Sequence, residues 1–187
     1  MTRTAQRVFE HRRIWRVTPD ALREACLLLF AAISRDHPTV DHVVGIANGG
    51  VAPAHILAAR LGVKPRTVQA RHNTDDDLYR QATGKVTVDF DAFHRTLGHR
   101  ELDGTILVVD DICGSGATLR ELRNALTPVL APDSRVITAT LCLNTGAQTC
   151  PNYSVWAVSD WVSFPWEKRP DQPTTDLPIP DRVTSHA

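Results

Sequence analysis

The stretch "VVDDICGSGATL" (108–119) combines residue types that can hold a phosphorylated sugar. Its small residues 114–116 allow consecutive backbone N–H groups to point at one anion, and the helix expected behind them adds its dipole. Asp110 and Asp111 stand just before this turn. Two adjacent carboxylates would repel a phosphate, but they can accept hydrogen bonds from a diol or share a divalent cation. A sugar phosphate would satisfy both halves of the motif.

The elements around this motif predict where it lies. "TILVVD" (105–110) is a continuous apolar run, typical of a strand covered on both faces, and "ATLRELRNAL" (117–126) has helical spacing. In open α/β sheets the ligand binds beyond the carboxyl ends of the strands, where this turn would fall. The alternative is a tight turn with a helix cap. A lone Gly-x-Gly would not favour the phosphate-binding turn over this alternative. The full order, a strand, two acids, two spacers and Ser-Gly-x-Thr, is much more specific.

Other parts of the chain repeat the pattern of strand, turn and helix. Thr18 and Pro19 predict the start of a helix through "ALREACLLLFAAI". "VDHVVGI" (40–46) predicts a strand, followed by the glycine turn "ANGG" and a helix that ends at Gly62. "RVITATLCL" (135–143) and "YSVWAVSDWVSF" (153–164) add two strands. We therefore expect an α/β fold, with a mainly parallel doubly wound sheet flanked by helices.

The bulk composition limits the function classes. With 187 residues, 42% of them hydrophobic, the chain fits a single domain. Its 21 basic and 21 acidic residues cancel, so we expect no nucleic-acid partner and no membrane surface. No apolar run approaches the roughly 20 residues of a membrane span. The four cysteines have no metal-ligand spacing and are typical of thiols in a reducing compartment, which predicts a cytoplasmic protein.

The motif resembles the phosphoribosyl-pyrophosphate (PRPP) loop of the type I phosphoribosyltransferases. The resemblance implies that Asp110 and Asp111 bind the ribose hydroxyls and take part in catalysis. It also implies a loop that wraps the 5′-phosphate, formed by Gly114, Ser115, Gly116, Ala117 and Thr118.

Two further stretches are similar to motifs of the same family. "VVGIANGGVAPAHILAARLG" (43–62) resembles its pyrophosphate-binding turn, which would be formed by Ala47, Asn48, Gly49 and Gly50. "WVSFPWE" (161–167) resembles the base-binding hood of the bacterial and archaeal 6-oxopurine branch. There Trp161 would stack on the base, the backbone of Val162 would meet the base edge, and Glu167 would lie near a metal.

The resemblance also implies a domain plan. A single domain would cover 1–167, with the hood formed by about 1–20 and 144–167 and a flexible loop at about 70–97. The segment 168–187 contains several prolines in a polar context and predicts an extended or disordered tail. Relatives usually pair, so a homodimer is expected.

Two positions depart from the pattern of the 6-oxopurine branch. Gly114 stands where that branch usually has an aspartate near the purine N7, and Asn144 stands where it usually has a lysine that donates to the 6-oxygen. An amide can both donate and accept, so Asn144 is expected to contact the base without fixing its identity. Asn48 replaces a frequent arginine, in a turn that works through its backbone.

The resemblance implies transfer of ribose 5-phosphate from PRPP to a nucleobase, with release of pyrophosphate, and the resemblance of the hood implies that this base is a purine. Mg²⁺ would bridge the diphosphate and the ribose hydroxyls, held by Asp110, Asp111 and Glu167. Two alternatives stay open at this point. One is a regulatory protein of the same fold that senses PRPP or a nucleotide, and the other is a phosphoribosyltransferase for an unusual base.

Overall fold

The structure is a computed structural model, and it describes residues 7–71, 87–98 and 100–186. Its helices are α1 (Pro19–Asp36), α2 (Val51–Leu61), α3 (Phe90–Thr96) and α4 (Ala117–Leu126), the last followed by a 3-10 turn at Thr127–Val129. Its strands are β1 (Ile14–Arg16), β2 (His42–Ala47), β3 (Pro65–Arg71), β4 (Thr87–Val88), β5 (Thr105–Cys113), β6 (Arg135–Asn144), β7 (Tyr153–Val158), β8 (Trp161–Ser163), β9 (Thr174–Asp176) and β10 (Thr184–Ser185).

The main sheet has seven strands in the order β10-β7-β6-β5-β2-β3-β4. The five inner strands are parallel, and β10 and β4 pair antiparallel at the two edges. From β2 the chain continues to one edge through β3, whereas from β5 it continues to the other through β6 and β7. The strand order therefore reverses between the neighbours β2 and β5, which is where such sheets bind ligands. The predicted α/β fold is confirmed.

Strand β5 alternates between two apolar layers, which explains its unbroken hydrophobic run. Leu107 and Val109 belong to the core that also contains residues of α1 and α2. Ile106 and Val108 belong to the core on the opposite side, with α3 and α4. Both faces of the strand are covered, and its residues 106–109 are therefore apolar. The first polar residue after this run is Asp110, where the strand leaves the core.

The predicted ends of two helices are observed. The Thr18 hydroxyl accepts a hydrogen bond from the Ala21 N–H at 3.2 Å, and Pro19 is the first residue of α1. Helix α2 ends at Gly62, whose φ of +72° is the left-handed conformation that glycine adopts at little cost. Within the described parts of the chain, no helix is both long enough and apolar enough to cross a bilayer.

A second, smaller sheet has the order β8-β1-β9, with both pairings parallel. It joins the two parts of the chain that were expected to form the hood, and it adds β9 from the Pro-rich tail. In the same tail Leu177 is buried, and the Trp156 indole N–H donates to the Pro178 carbonyl at 3.1 Å. The described part of the tail thus packs on the domain through these contacts.

The sequence pattern predicts one strand at 153–164, but this segment forms two strands, β7 and β8, that belong to different sheets. Asp160 lies at the change of direction. Its buried carboxylate accepts hydrogen bonds from the backbone N–H groups of His11, at 2.7 Å, and of Arg12, at 3.1 Å. Those partners come from far away in the sequence, so local spacing could not indicate the break.

Part of the expected flexible loop (70–97) lies outside the described residues, namely 72–86. The described part contains the end of β3, all of β4 and helix α3, which the sequence did not predict. The Asp89 carboxylate caps this short helix by accepting a hydrogen bond from the Ala92 N–H at 3.0 Å. Residues 1–6 of the expected hood are likewise outside the described range.

Candidate active site

The glycine turn after β2 lies directly against the acid pair at the end of β5. A Cβ atom on Gly49 would overlap the carboxylate of Asp111. A Cβ atom on Gly50 would overlap the Val109 carbonyl and lie 2.9 Å from the Asp110 Cα. The two predicted motifs, about 60 residues apart in sequence, therefore form one surface that requires glycine at both positions. The peptide bond between Ala47 and Asn48 in this turn is cis.

The two carboxylates are not equivalent. Asp110 is buried, with 9% of its surface exposed, and Asp111 is half-buried. The Asp111 N–H donates to Oδ1 of Asp110 at 3.0 Å. Burial raises the pKa of Asp110 well above its ordinary value, and the charge of Asp111 raises it further. Burial also raises the pKa of Asp111, against the opposing effect of the Arg7 guanidinium. The pair holds a proton more readily than exposed aspartates do.

The expected phosphate loop connects β5 to α4. Gly116 has a φ of +86°, and the Ser115 hydroxyl accepts a hydrogen bond from the Ala117 N–H at 3.3 Å. Thr118, in the first turn of α4, is half-buried. The loop thus leads directly into the N-terminus of α4, a position at which backbone N–H groups can bind an anion.

The segment after β6 covers one side of this loop. The Gln148 N–H donates to the Ser115 carbonyl at 3.3 Å, and the Cys113 thiol donates to the Thr149 carbonyl at 3.2 Å. A Cβ atom on Gly116 would lie 2.6 Å from the Thr149 Cβ. Burial raises the pKa of Cys113 to about 12, so this thiol is neutral at physiological pH and acts as a hydrogen-bond donor.

Arg7 lies on the other side of the loop, and sequence reasoning did not identify it. A Cβ atom on Gly114 would overlap the Arg7 Nε and lie 2.9 Å from its Cζ, so the guanidinium fills the space that a side chain at position 114 would occupy. Its charge lowers the pKa of Asp110 and Asp111, although burial outweighs this effect at both residues. A single arginine in a charge-rich N-terminus gives no sequence signal of such a position.

Asn144 holds the N-terminal segment (residues 7–12) in place. Its carboxamide Oδ1 accepts from the Val8 N–H at 2.8 Å, and its Nδ2 donates to the Val8 carbonyl at 2.9 Å. The same oxygen accepts from the Gly146 N–H at 3.0 Å. The sequence predicted that this amide contacts a base. In this structure the side chain is buried and these hydrogen bonds go to the backbone, which indicates a positioning role, while a contact with the base stays a prediction.

The expected hood residues lie on β8 and just after it. Trp161 is half-buried, and its ring centroid is 6.1 Å from that of Phe9, with an angle of 33° between the planes. Val162 is buried in β8, which is an edge strand of the small sheet, so one side of its backbone faces away from β1. Trp166 stacks on Phe164 at 5.1 Å and so packs within the hood.

Glu167 does not join the acid pair. It is exposed, and its Oε2 accepts a hydrogen bond from the Phe164 N–H at 3.0 Å, which closes the turn after β8. Across residues 7–71, 87–98 and 100–186, no three His, Cys, Asp or Glu side chains converge as a metal site would require. Asp110 and Asp111 alone still fit Mg²⁺, because this ion is commonly held by one or two carboxylates together with substrate phosphates.

A pocket of about 520 Å³ lies at the other end of these strands, near the amino ends of β2 and β5. Its His42 ring is 3.1 Å from the Asp103 carboxylate and 3.0 Å from Nη1 of Arg66. The hydrogen bond from His42 lowers the pKa of Asp103. These polar groups bond to one another. In addition, parallel sheets bind ligands beyond the carboxyl ends of their strands, not at the amino ends. We therefore assign the candidate site to the carboxyl ends of β2 and β5.

Comparison with known proteins agrees with this architecture. The phosphoribosyl transferase domain family matches residues 20–173. A purine phosphoribosyltransferase from Pyrococcus horikoshii Ot3 superposes with a TM-score of 0.68 at 21% identity, over 86% of this chain and 99% of that one. The xanthine-guanine-hypoxanthine phosphoribosyltransferase of Helicobacter pylori gives a TM-score of 0.63 at 19% identity, over 82% and 94% of the two chains.

A third structure, a hypothetical protein from Neisseria gonorrhoeae with bound ppGpp, has a TM-score of 0.62 at 22% identity, over 85% of this chain and 92% of that one. At these identities the structural likeness shows the fold, whereas the family match spans most of the sequence. The chain belongs to the phosphoribosyltransferase family, with the type I fold that the sequence predicted.

Proposed function

We propose that this protein transfers the 5-phosphoribosyl group of PRPP to a nucleobase, most favourably a purine, and releases pyrophosphate. The observation that carries the proposal is the contact between Gly49 and the Asp111 carboxylate. It joins a turn suited to a diphosphate with an acid pair suited to a ribose diol. PRPP carries both groups on neighbouring carbons of one sugar.

Each half of the site has a distinct role in binding. The turn Ala47–Gly50 would receive the diphosphate through its backbone N–H groups, since glycine at 49 and 50 keeps side chains away from the anion. Asp110 and Asp111 would accept hydrogen bonds from the 2′- and 3′-hydroxyls. Gly114 to Thr118 would hold the 5′-phosphate at the start of α4.

In the reaction, a ring nitrogen of the base forms a bond to C1 of the ribose as the bond from C1 to the diphosphate oxygen breaks. The electron pair of that bond leaves with pyrophosphate, and the proton on the attacking nitrogen passes to an acceptor. Positive charge develops on the ribose ring in the transition state. The ionised acid pair, as acceptor of the ribose hydroxyls, would be close enough to stabilise that charge, and the two loops would keep the reactants aligned.

Mg²⁺ bound with the diphosphate would neutralise the leaving group. Asp110 and Asp111 are the residues that would hold it on the protein side, and they must be ionised to do so. Because burial raises the pKa of both, binding of the substrate complex is expected to release a proton. Glu167, which closes the hood turn, has no part in this proposal.

The half-buried Trp161 supports the assignment of the base-binding side. Its indole offers an aromatic face on the small sheet, and base–aromatic stacking tolerates different bases. The backbone of Val162, in the same edge strand, would meet the base edge. The choice between purines is not determined by these two contacts.

The proposal is tested by incubating the protein with PRPP, Mg²⁺ and one base at a time, with pyrophosphate release as the readout. The panel contains hypoxanthine, guanine, xanthine, adenine, uracil and orotate. Turnover with at least one purine supports the proposal. The matched control is the double variant Asp110→Asn/Asp111→Asn, which must be inactive with the same base.

One alternative has its own observation. The Neisseria gonorrhoeae protein with the same fold is described with bound ppGpp, so a protein of this fold can bind that nucleotide. If the present protein is a regulatory protein that senses PRPP or a nucleotide, it will bind PRPP or ppGpp with no pyrophosphate release from any base. Direct binding measurements beside the turnover panel separate the two functions. An unusual base, the remaining alternative, would give PRPP binding and turnover only with a base outside the panel.

A further inference from the structure

Arg7 lies beside the acid pair, on an N-terminal segment that also contacts Trp161. Its guanidinium covers Gly114, and its charge acts on both Asp110 and Asp111. Two residues further along the chain, the Phe9 ring lies 6.1 Å from the Trp161 ring. The segment that carries Arg7 thus contacts both the ribose-binding and the base-binding parts of the proposed site.

The position matters for substrate choice, and this step rests on the proposed function. If the acid pair holds the ribose and Trp161 stacks on the base, the base must occupy the space between them, because it becomes bonded to C1 of that ribose. The Arg7 guanidinium lies next to the acid pair, on the segment that contacts Trp161, and so can reach this space. We propose that Arg7 is a specificity-determining residue that donates hydrogen bonds to an acceptor edge of the base, so that the protein selects oxo bases over amino bases.

The chemistry of arginine supports a preference of this sign. A guanidinium has five N–H donors, no acceptor, and a positive charge at every physiological pH. It is therefore complementary to an oxo oxygen or an unprotonated ring nitrogen. An exocyclic amino group such as that of adenine would place donor against donor, and burying a polar group without its partner is costly.

Among the described residues, Gly114 and Asn144 are the two positions where the 6-oxopurine branch carries base-contacting side chains, and neither offers a free acceptor to the base. Gly114 has no side chain, and its Cα is covered by Arg7 itself. The Asn144 carboxamide, which could have accepted from an amino group, is bonded to the backbone of Val8 and Gly146. The base edge on this side is therefore read by the cation.

The N-terminal segment is fixed well enough for such a role. Asn144 binds both backbone groups of Val8, and the Glu10 N–H donates to the Ser159 carbonyl at 2.8 Å. The Asp160 carboxylate accepts from the next two backbone N–H groups, those of His11 and Arg12. A side chain on an anchored backbone loses less freedom when it binds a ligand, which favours its use in recognition.

The test compares Arg7→Gln and Arg7→Lys with the control Arg12→Gln. Arg12 lies on the same segment, but its side chain is 70% exposed and pairs with Glu10 at 3.2 Å. For each protein, the dissociation constant of PRPP with Mg²⁺ is measured by calorimetry, and kcat/KM is measured with hypoxanthine, guanine and adenine. Thermal unfolding shows whether each variant is folded.

For wild type we expect a higher kcat/KM with the oxo purines than with adenine. Arg7→Gln should lower kcat/KM for the oxo purines about 10- to 100-fold, as expected for the loss of a charge-assisted hydrogen bond, and it should narrow the gap to adenine. Arg7→Lys keeps the charge but lacks the planar guanidinium. Its kcat/KM for the oxo purines should therefore lie between the values of wild type and Arg7→Gln. The affinity for PRPP should change by less than about threefold, a difference of under 1 kcal/mol, and Arg12→Gln should behave as wild type.

Several results would overturn the inference. A wild-type protein that prefers adenine refutes it while leaving the proposed function intact. So does a folded Arg7→Gln variant with an unchanged base preference, including one that has lost affinity for PRPP, because Arg7 would then serve the phosphate or the acid pair. Wild-type protein that neither binds PRPP nor turns over any base refutes the proposed function, and this inference with it.

Discussion

Gly49 and Asp111 are in such close contact that a Cβ atom on the glycine would overlap the carboxylate. The contact ties the turn after β2 to the end of β5, at the point where the strand order reverses. Any side chain at position 49 would displace the carboxylate, the turn, or both. The geometry of the proposed diphosphate and ribose subsites thus depends on one hydrogen atom in place of a methyl group.

Gly49→Ala is expected to reduce PRPP affinity by about 100-fold, the size of loss that a displacement of about 1 Å in an active site can produce. The control is Gly62→Ala, at the C-terminus of α2. There a Cβ would meet nothing within 4 Å, but φ is +72°. Gly62→Ala should lower the free energy of unfolding by about 1 kcal/mol and leave PRPP binding unchanged. Calorimetric titration and thermal unfolding of both variants provide the measurements. Equal PRPP affinity in the two variants would contradict the proposed subsites.

Asp110→Asn is expected to make the folded protein more stable at neutral pH. Burial raises the folded-state pKa of Asp110 above the ordinary value of 3.8, so the native state binds more protons than the unfolded state in the interval between the two values. The stability of wild type therefore falls as pH rises through that interval. Asparagine is never ionised, and its oxygen can still accept from the Asp111 N–H.

The stabilisation by Asp110→Asn should be largest at pH 7 to 8 and should shrink as the pH approaches the unfolded-state value of 3.8. Midpoints of thermal unfolding across this range measure it, with about 2 to 4 °C corresponding to each kcal/mol for a chain of this size. Arg12→Gln serves as a control whose effect does not depend on pH in this way. A variant that is less stable than wild type at pH 7.5 would show that the ionised carboxylate contributes favourably to the fold.

Trp161→Ala is expected to weaken base binding about 10- to 100-fold, through the loss of base stacking, and to spare PRPP. Trp161→Phe keeps an aromatic face and should retain most of the activity. KM for the base and the dissociation constant of PRPP separate the two subsites. If Trp161→Ala lost affinity for PRPP and kept its KM for the base, the hood would not be the base-binding element.

Asn144→Ala is expected to lower kcat/KM for an oxo base in the same direction as Arg7→Gln, because Asn144 holds the backbone of Val8, next to Arg7. It should also cost about 1 to 3 kcal/mol of stability, since backbone groups of Val8 lose their partners. In the double variant the kinetic losses should not add, because both substitutions act on one contact. Fully additive losses in kcat/KM would mean that Asn144 and Arg7 act independently.

Much of the architecture could be predicted because it depends on local sequence patterns. The apolar run before Asp110, the Thr18–Pro19 helix start and the glycine at position 62 each act on their immediate neighbours, and all three were observed as expected. The glycine turns were recognised for the same reason. The contact of the first turn with Asp111 agrees with the general rule that ligand-binding turns gather at the carboxyl ends of the strands in a parallel sheet.

What the sequence did not predict depends on contacts between distant residues. Arg7 reaches Gly114, and Asn144 holds Val8, across separations of more than 100 residues. Strand β9 joins β1 through a pairing that no periodicity indicates in a proline-rich segment. The carboxamide of Asn144 illustrates the limit: its residue type was correctly read as able to donate and accept, but its partners were set by the fold.

The measurement that tests the account most directly is calorimetric titration of PRPP with Mg²⁺ into wild type and into Asp110→Asn/Asp111→Asn. We predict saturable binding to wild type, with release of protons to the buffer, and no detectable binding to the double variant, which should still unfold cooperatively. Equal binding to both proteins, or none to folded wild type, would contradict the assignment of the acid pair and the glycine turn as a PRPP site.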